Sequence, residues 1–173
     1  NEWVESIPCE ELCPVFLPFL MASNVHPNAM GSFVGMSNFH TRAHLSRSIY
    51  EGIAFSHRYH LEKLLATRET PPKAIRLAGG VTRSAVWVQM FADILGFPIE
   101  TIEAKELGAL GCGMAAAIAA GVYKDYREAA QYMVHVSGRV EPDVKKHEIY
   151  NKKYQKYRAV SKALDTVWGQ FEV

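Results

Sequence analysis

LAGGVTRSAVWVQMFADILGFPIE, residues 77–100, is the stretch that decides how this chain folds. It opens at the end of a short run, residues 74–78, that reads as a strand, and the pair Gly79 and Gly80 stops that run. A helix is predicted from about Ser84 to Leu95, because Trp87, Met90, Phe91, Ile94 and Leu95 recur three and four residues apart and share one face. Gly96 is placed to end that helix as a left-handed cap, and residues 98–102 read as a second strand. The result is a strand–turn–helix–strand unit of about 30 residues, the size of a right-handed crossover.

A glycine pair between a strand and a helix has two readings. It can be a plain tight turn, or a place where a ligand meets backbone with no Cβ in the way. The helix that follows offers unpaired N–H groups and the positive end of its dipole, which suit an anion or a polar sugar. Ser84, at or near the N-cap, adds a hydroxyl. On this local pattern alone the plain turn is the commoner reading, and the ligand site the alternative.

Upstream, residues 14–20 read as a short extended segment with prolines at its edges, residues 21–31 as a loop and residues 32–36 as a strand. Thr41 resembles an N-cap for a helix running to about Thr67, with Leu45, Ile49, Ile53, Leu61, Leu64 and Leu65 at helical spacing. Downstream, residues 108–122 are rich in Gly and Ala and predict a helix closely packed on a sheet. Asp125 with Glu128 makes a capping box for a helix to about Val134, and residues 137–142 suggest an edge strand. The last helix carries Tyr150, Tyr154, Tyr157, Leu164 and Trp168 on one stripe. With no repeat and no linker, residues 1–173 form one α/β domain.

The chain has 173 residues, 49% hydrophobic and 21% charged, which suits a single domain with a substantial core. Nineteen Lys and Arg against 18 Asp and Glu leave a net charge of +1, against a nucleic acid or an anionic membrane as the main partner. Three cysteines, Cys9, Cys13 and Cys112, do not make a disulfide framework, and a reducing, cytoplasmic setting is expected. The apolar stretches 13–22 and 111–122 fall short of the roughly 20 residues a bilayer requires, and residues 1–11 lack the pattern of a secretory leader.

Four stretches carry a family resemblance. Residues 77–100 resemble the adenosine motif of the FGGY carbohydrate kinases, in which a Gly-Gly pair is followed by Ser or Asn, Trp-x-Gln, Ala-Asp and Gly-x-Pro. PVFLPFLMASNVHPNAMGSFVG (14–35) and TRAHLSRSIYEGIAF (41–55) resemble that family's preceding segments, and ELGALGCGMAAAIAAG (106–121) resembles the helix that follows the motif. The resemblance extends to about Lys124. It implies an actin-like ATPase fold built of ribonuclease H-like domains, of which this chain is the C-terminal, ATP-binding one. It further implies ATP with Mg²⁺ as cofactors, a small sugar as substrate, the N-terminal kinase domain of the same protein as partner, and a homodimer as a candidate assembly.

Residue by residue, the resemblance implies that Gly79 and Gly80 lie against the ribose and α-phosphate and that Ser84 contacts the adenine. Trp87, Gln89 and Asp93 match the motif too, with Trp87 read as core and the other two as ties between the helix and nearby loops. The family's catalytic aspartate belongs to the N-terminal domain, so no catalytic residue is assigned within this chain, which is expected to be inactive alone. Where the family commonly carries a Glu-Arg pair, residues 21–27 read MASNVHP. That loop and the Asn1-Glu2-Trp3 start are similar to L-xylulose kinase-like members, implying transfer of the ATP γ-phosphate to a ketopentose such as L-xylulose or xylulose. The alternative is an actin-like nucleotide-binding module with a regulatory or assembly role and no transferase activity.

Other features have plainer readings. His40 with His44, and His57 with His60, are spaced like metal pairs, but with no third ligand they read as hydrogen-bonded or solvated. No metal site is assigned. Glu106 stands before the Gly-rich helix, where it could touch a nucleotide or serve as a cap or hinge. Lys145, Lys146, Lys152, Lys153 and Lys156 read as a solvated face beside the tyrosine stripe.

Overall fold

The crossover unit organises the molecule. A computed structural model describes residues 1–21, 23, 25–103 and 106–171. In it β3 (Ile75–Leu77) and β4 (Ile99–Ile102) run parallel, with Ile75 opposite Ile99 and Leu77 opposite Thr101. Between them lies α3 (Ala85–Leu95), capped at its start by Ser84, whose hydroxyl accepts the Trp87 N–H, and at its end by Gly96 with φ 71° and ψ 23°. The antiparallel β5 (Val136–Val140) completes a three-stranded sheet in the order β3-β4-β5. The predicted edge strand is therefore present, and β3 forms the sheet's other edge.

The N-terminal part supplies a second layer. A short α1 (Glu2–Glu5) precedes an antiparallel pair, β1 (Val15–Leu17) with β2 (Ser32–Val34). The intervening loop includes residues 22 and 24, which lie outside the described residues. Next comes α2 (Arg42–Leu65), 24 residues long. Thr41 is its N-cap as expected, with the Thr41 N–H donating to His44 Nδ1 at 3.2 Å. That bond accounts for His44. His40 is likewise engaged, its Nδ1 accepting from Ser37 N–H at 2.9 Å.

The face that α2 buries differs from the expected one. Its most enclosed residues are Arg47, Ser48, Glu51, Gly52, Ala54 and Phe55, while Leu64 is 63% exposed. Gly52 explains part of this shift: a Cβ there would lie 2.3 Å from the Phe16 carbonyl oxygen, so only glycine lets α2 come this close to β1. A polar cluster explains the rest. Arg47 donates to Glu51 at 2.8 Å, to Tyr150 Oη at 2.6 Å, to the Val4 carbonyl at 3.0 Å and to the Ile7 carbonyl. Burial without partners would be costly for a guanidinium, and here its donors are used.

The last helix, α6 (Val144–Leu164), packs on α3 and β1, with Tyr150, Tyr154 and Tyr157 all buried around Phe55. Burial pushes the Tyr154 phenol up to about 12. The tyrosine stripe is thus core, as its spacing predicts. Two details depart from expectation. Trp168 is buried from a separate 3₁₀ turn beyond the helix end, and Lys153 is not on the solvated face, because it turns inward to Glu51 at 2.9 Å.

Two helices close the description: α4 (Leu107–Ala119) and α5 (Tyr126–Met133), the latter capped by Asp125, which accepts the Glu128 N–H at 2.9 Å. The tight helix–sheet packing expected of α4 is not found. It packs on α5, Met114 is its one buried residue, and nothing lies within 4 Å of where a Cβ would stand on Gly108 or Gly111. Its small residues make a smooth open face, not a filled contact, among the described residues. None of the described helices is long and apolar enough to cross a membrane.

Candidate functional site

The parallel strands β3 and β4 end side by side, and in open α/β sheets the crevice beyond such carboxyl ends is where ligands bind. Here it holds a cavity of about 400 Å³ whose walls include Leu77, Gly79, Gly80, Arg83, Ile102 and Glu106. Gly79 has φ 87° and ψ −164°, a conformation close to exclusive to glycine. The turn is tied down by Thr82, whose N–H and hydroxyl both donate to the Gly79 carbonyl, at 3.1 and 2.8 Å.

Behind the glycine pair stands one 3₁₀ turn, Gly80–Arg83, and α3 begins only after it. The structure therefore separates the sequence-predicted residues. Gly79 and Gly80 are together on the cavity wall, both exposed, and neither has an atom within 4 Å of its ideal Cβ position. Ser84 is buried, 7% exposed, away from the cavity lining. Its hydroxyl caps α3 and donates to Asn1 Oδ1 at 2.9 Å. Arg83, Thr82 and the apolar wall of Leu77, Ile102 and Leu107 were not singled out by the sequence; Arg83 and Thr82 sit inside the decisive motif and carry no other signal.

The other motif residues hold the site's frame. Trp87 is half-buried, stacks on Tyr50 with centroids 4.2 Å apart and donates to the Tyr50 carbonyl at 3.3 Å. Gln89 donates to Asp93 at 2.8 Å and to the Glu141 carbonyl at 3.0 Å, while Asp93 accepts the Asp143 N–H at 2.8 Å. These bonds lock α3 to the start of α6. Burial raises the Asp93 carboxyl above its ordinary value of 3.8, outweighing the opposing hydrogen bonds from Asp143 and Gln89.

A larger hollow of about 560 Å³ lies among α1, α3 and α6, bordered by Arg47, Asp93 and Tyr150. Those three polar side chains already bond to protein groups, and Glu5, Glu10 and Lys146 also border the hollow. Cys13 is less reactive than an ordinary thiol, pushed up to about 11 by burial. Among the described residues no group of three or more His, Cys, Asp or Glu is placed to hold a metal ion.

Comparison with known proteins fits this frame. Residues 12–120 match the model of the FGGY family of carbohydrate kinases, C-terminal domain. The chain belongs to that family, as its C-terminal domain. It is similar to the L-xylulose/3-keto-L-gulonate kinase of Escherichia coli (strain K12), 40% identical over 164 residues, covering 95% of this chain and 33% of that protein. The probable L-xylulose kinase of Pasteurella multocida (strain Pm70) is 37% identical over 166 residues, with 95% and 33% covered. The ligand-bound xylulose kinase structure from Lactobacillus acidophilus aligns with a TM-score of 0.88 at 28% identity, over 99% of this chain and 35% of that one. The fold is accordingly the actin-like, ribonuclease H-like α/β fold of these sugar kinases. The chain spans 33% of the length of each of these two curated relatives.

Proposed function

We propose that this chain is the ATP-binding half of a sugar kinase that moves the γ-phosphate of ATP to a hydroxyl of a ketopentose such as L-xylulose or xylulose. The observation that carries the reading is the position of the Gly79 and Gly80 turn. It forms the wall of a cavity at the carboxyl ends of two parallel strands, with no side chain over it. A ligand can then approach the backbone closely, and Arg83 stands on the same wall as a counter-charge for phosphate. Ser84 serves this site by holding the first turn of α3; contact with adenine would require its hydroxyl to give up Asn1. Mg²⁺ would arrive with ATP and be bound through the phosphates, waters and one or two carboxylates, its usual mode in kinases.

The sugar site and the group that accepts the hydroxyl proton belong, in this reading, to an N-terminal domain of the same protein. Two open surfaces support such a partner: β3 is an edge strand, and α4 shows a nearly side-chain-free face. Xylulose as the acceptor class rests on the names of the relatives. The test is a coupled ADP-release assay of the full-length protein against ketopentoses, glycerol and sugar acids. Ketopentose-dependent ADP release is expected; absence of release with every sugar would refute the kinase reading and favour a non-catalytic nucleotide module.

A further inference from the structure

We infer that Glu106 accepts the ribose hydroxyls of the nucleotide and thereby makes the site prefer ribonucleotides to deoxyribonucleotides. This rests on the cleft being the nucleotide site. Glu106 precedes α4 in the N-cap position, where a short Asp, Asn or Ser side chain ordinarily accepts a backbone N–H of the first turn. Here the side chain makes no such bond, and among the described residues no ion pair engages it. It is exposed and lines the same cavity as Gly79 and Gly80. Neither a capping nor an ion-pairing role accounts for it.

The chemistry of a nucleotide narrows what such a carboxylate can meet. An ionised carboxylate only accepts hydrogen bonds. Phosphates offer it no donor and repel it, and they have Arg83 on the same wall. The exocyclic amine of adenine is flanked by ring nitrogens whose lone pairs would face the second carboxylate oxygen. Two vicinal ribose hydroxyls offer two donors at the spacing of the two oxygens. The apolar side chains Leu77, Ile102 and Leu107 suit the flat faces of a base beside them. An acidic residue beyond the adjacent parallel strand plays this part in the dinucleotide-binding folds, where it hydrogen-bonds a ribose hydroxyl.

The experiment uses the full-length protein and compares kcat/KM for ATP with that for 2′-deoxy-ATP, 3′-deoxy-ATP and inosine triphosphate, in wild type, E106Q and E106A. Wild type is expected to favour ATP over each deoxy analogue by about tenfold or more, the worth of a hydrogen bond to a charged group. E106A should bring that ratio near one, E106Q should fall between, and the preference for ATP over inosine triphosphate should be unchanged in both. An unchanged ATP-to-deoxy ratio in E106A overturns the inference, as does a loss of discrimination confined to inosine triphosphate. If wild type turns over ATP and G80A weakens nucleotide binding while E106A leaves the ratio intact, only the Glu106 assignment fails. If wild type binds no nucleotide, the site reading fails and takes this inference with it.

Discussion

Replacing Gly79 and Gly80 one at a time by alanine separates what the turn needs from what a ligand needs. Gly79 sits at φ 87°, ψ −164°, where a Cβ is strained even with open space around it. Gly79→Ala should therefore destabilise the protein by about 1–3 kcal/mol through its backbone alone. Gly80 is in the 3₁₀ turn with no left-handed φ, and nothing lies within 4 Å of its ideal Cβ. Gly80→Ala should leave stability unchanged or raise it by about 0.4–1 kcal/mol, by restricting the unfolded chain. Its added methyl projects into space that, in the proposed function, the nucleotide fills. One misplaced methyl group in a fitted site costs about 1–3 kcal/mol, so affinity should fall by roughly 10- to 200-fold. Thermal unfolding and calorimetric titration of the full-length protein with a non-hydrolysable ATP analogue measure the two effects. A stable Gly80→Ala protein that binds the analogue with undiminished affinity would show that the nucleotide lies elsewhere.

Arg47→Met removes the centre of a buried cluster and strands the Tyr150 hydroxyl and two carbonyls, so it should cost about 3–5 kcal/mol in chemical denaturation; a loss below about 1 kcal/mol would mean the cluster is dispensable. Gly52→Ala forces a Cβ to within 2.3 Å of the Phe16 carbonyl and should lower stability by about 1–3 kcal/mol or more, read as a drop in Tm. The raised Asp93 carboxyl means that the folded state holds the proton more tightly than the unfolded chain, so stability from this group declines as pH rises through and above 3.8. Asp93→Asn keeps an acceptor for Gln89 and the Asp143 N–H, so at pH 7 it should equal or exceed wild type in Tm, with the gain vanishing below about pH 4; a variant weaker at pH 7 than at pH 4 would reverse the sign. The 173-residue chain by itself should release no ADP with any sugar, and sugar-dependent turnover by it alone would place the proton acceptor within these residues.

The parts of the fold legible in the sequence are those decided locally. Ser84 and Gly96 bracket α3, Asp125 caps α5, and the tyrosines of α6 repeat at the helical period, so each is set by neighbours within a turn or two. What escaped depends on residues far apart in the chain. Lys153 reads as one lysine in a basic run, and only the approach of Glu51 draws it inward. Leu64 fits the apolar period of α2 yet faces outward, because Gly52 and Arg47 choose which side of that helix meets β1 and α6. The site divides the same way. The glycine pair and Glu106 are marked by type and position, whereas their sharing one wall with Arg83 depends on β3 and β4 ending side by side.

The helix α4 shows a third kind of limit. Gly and Ala at residues 108–120 correctly signal a helix, but the close approach they suggest is not found within the described residues, where α4 packs mainly on α5, on one side. A helix interior rich in glycine is intrinsically weak, by about 1 kcal/mol per glycine relative to alanine, so three such residues in one helix require compensation from packing. The exposed side offers none here. If the proposed N-terminal domain covers it, hydrogen exchange across residues 107–119 should be slow in the full-length protein and faster by an order of magnitude or more in the 173-residue chain, as expected for about 1.4 kcal/mol of lost protection. Equal protection in the two would mean that α4 is stable as an open helix, and that its small residues answer to something other than a covering surface.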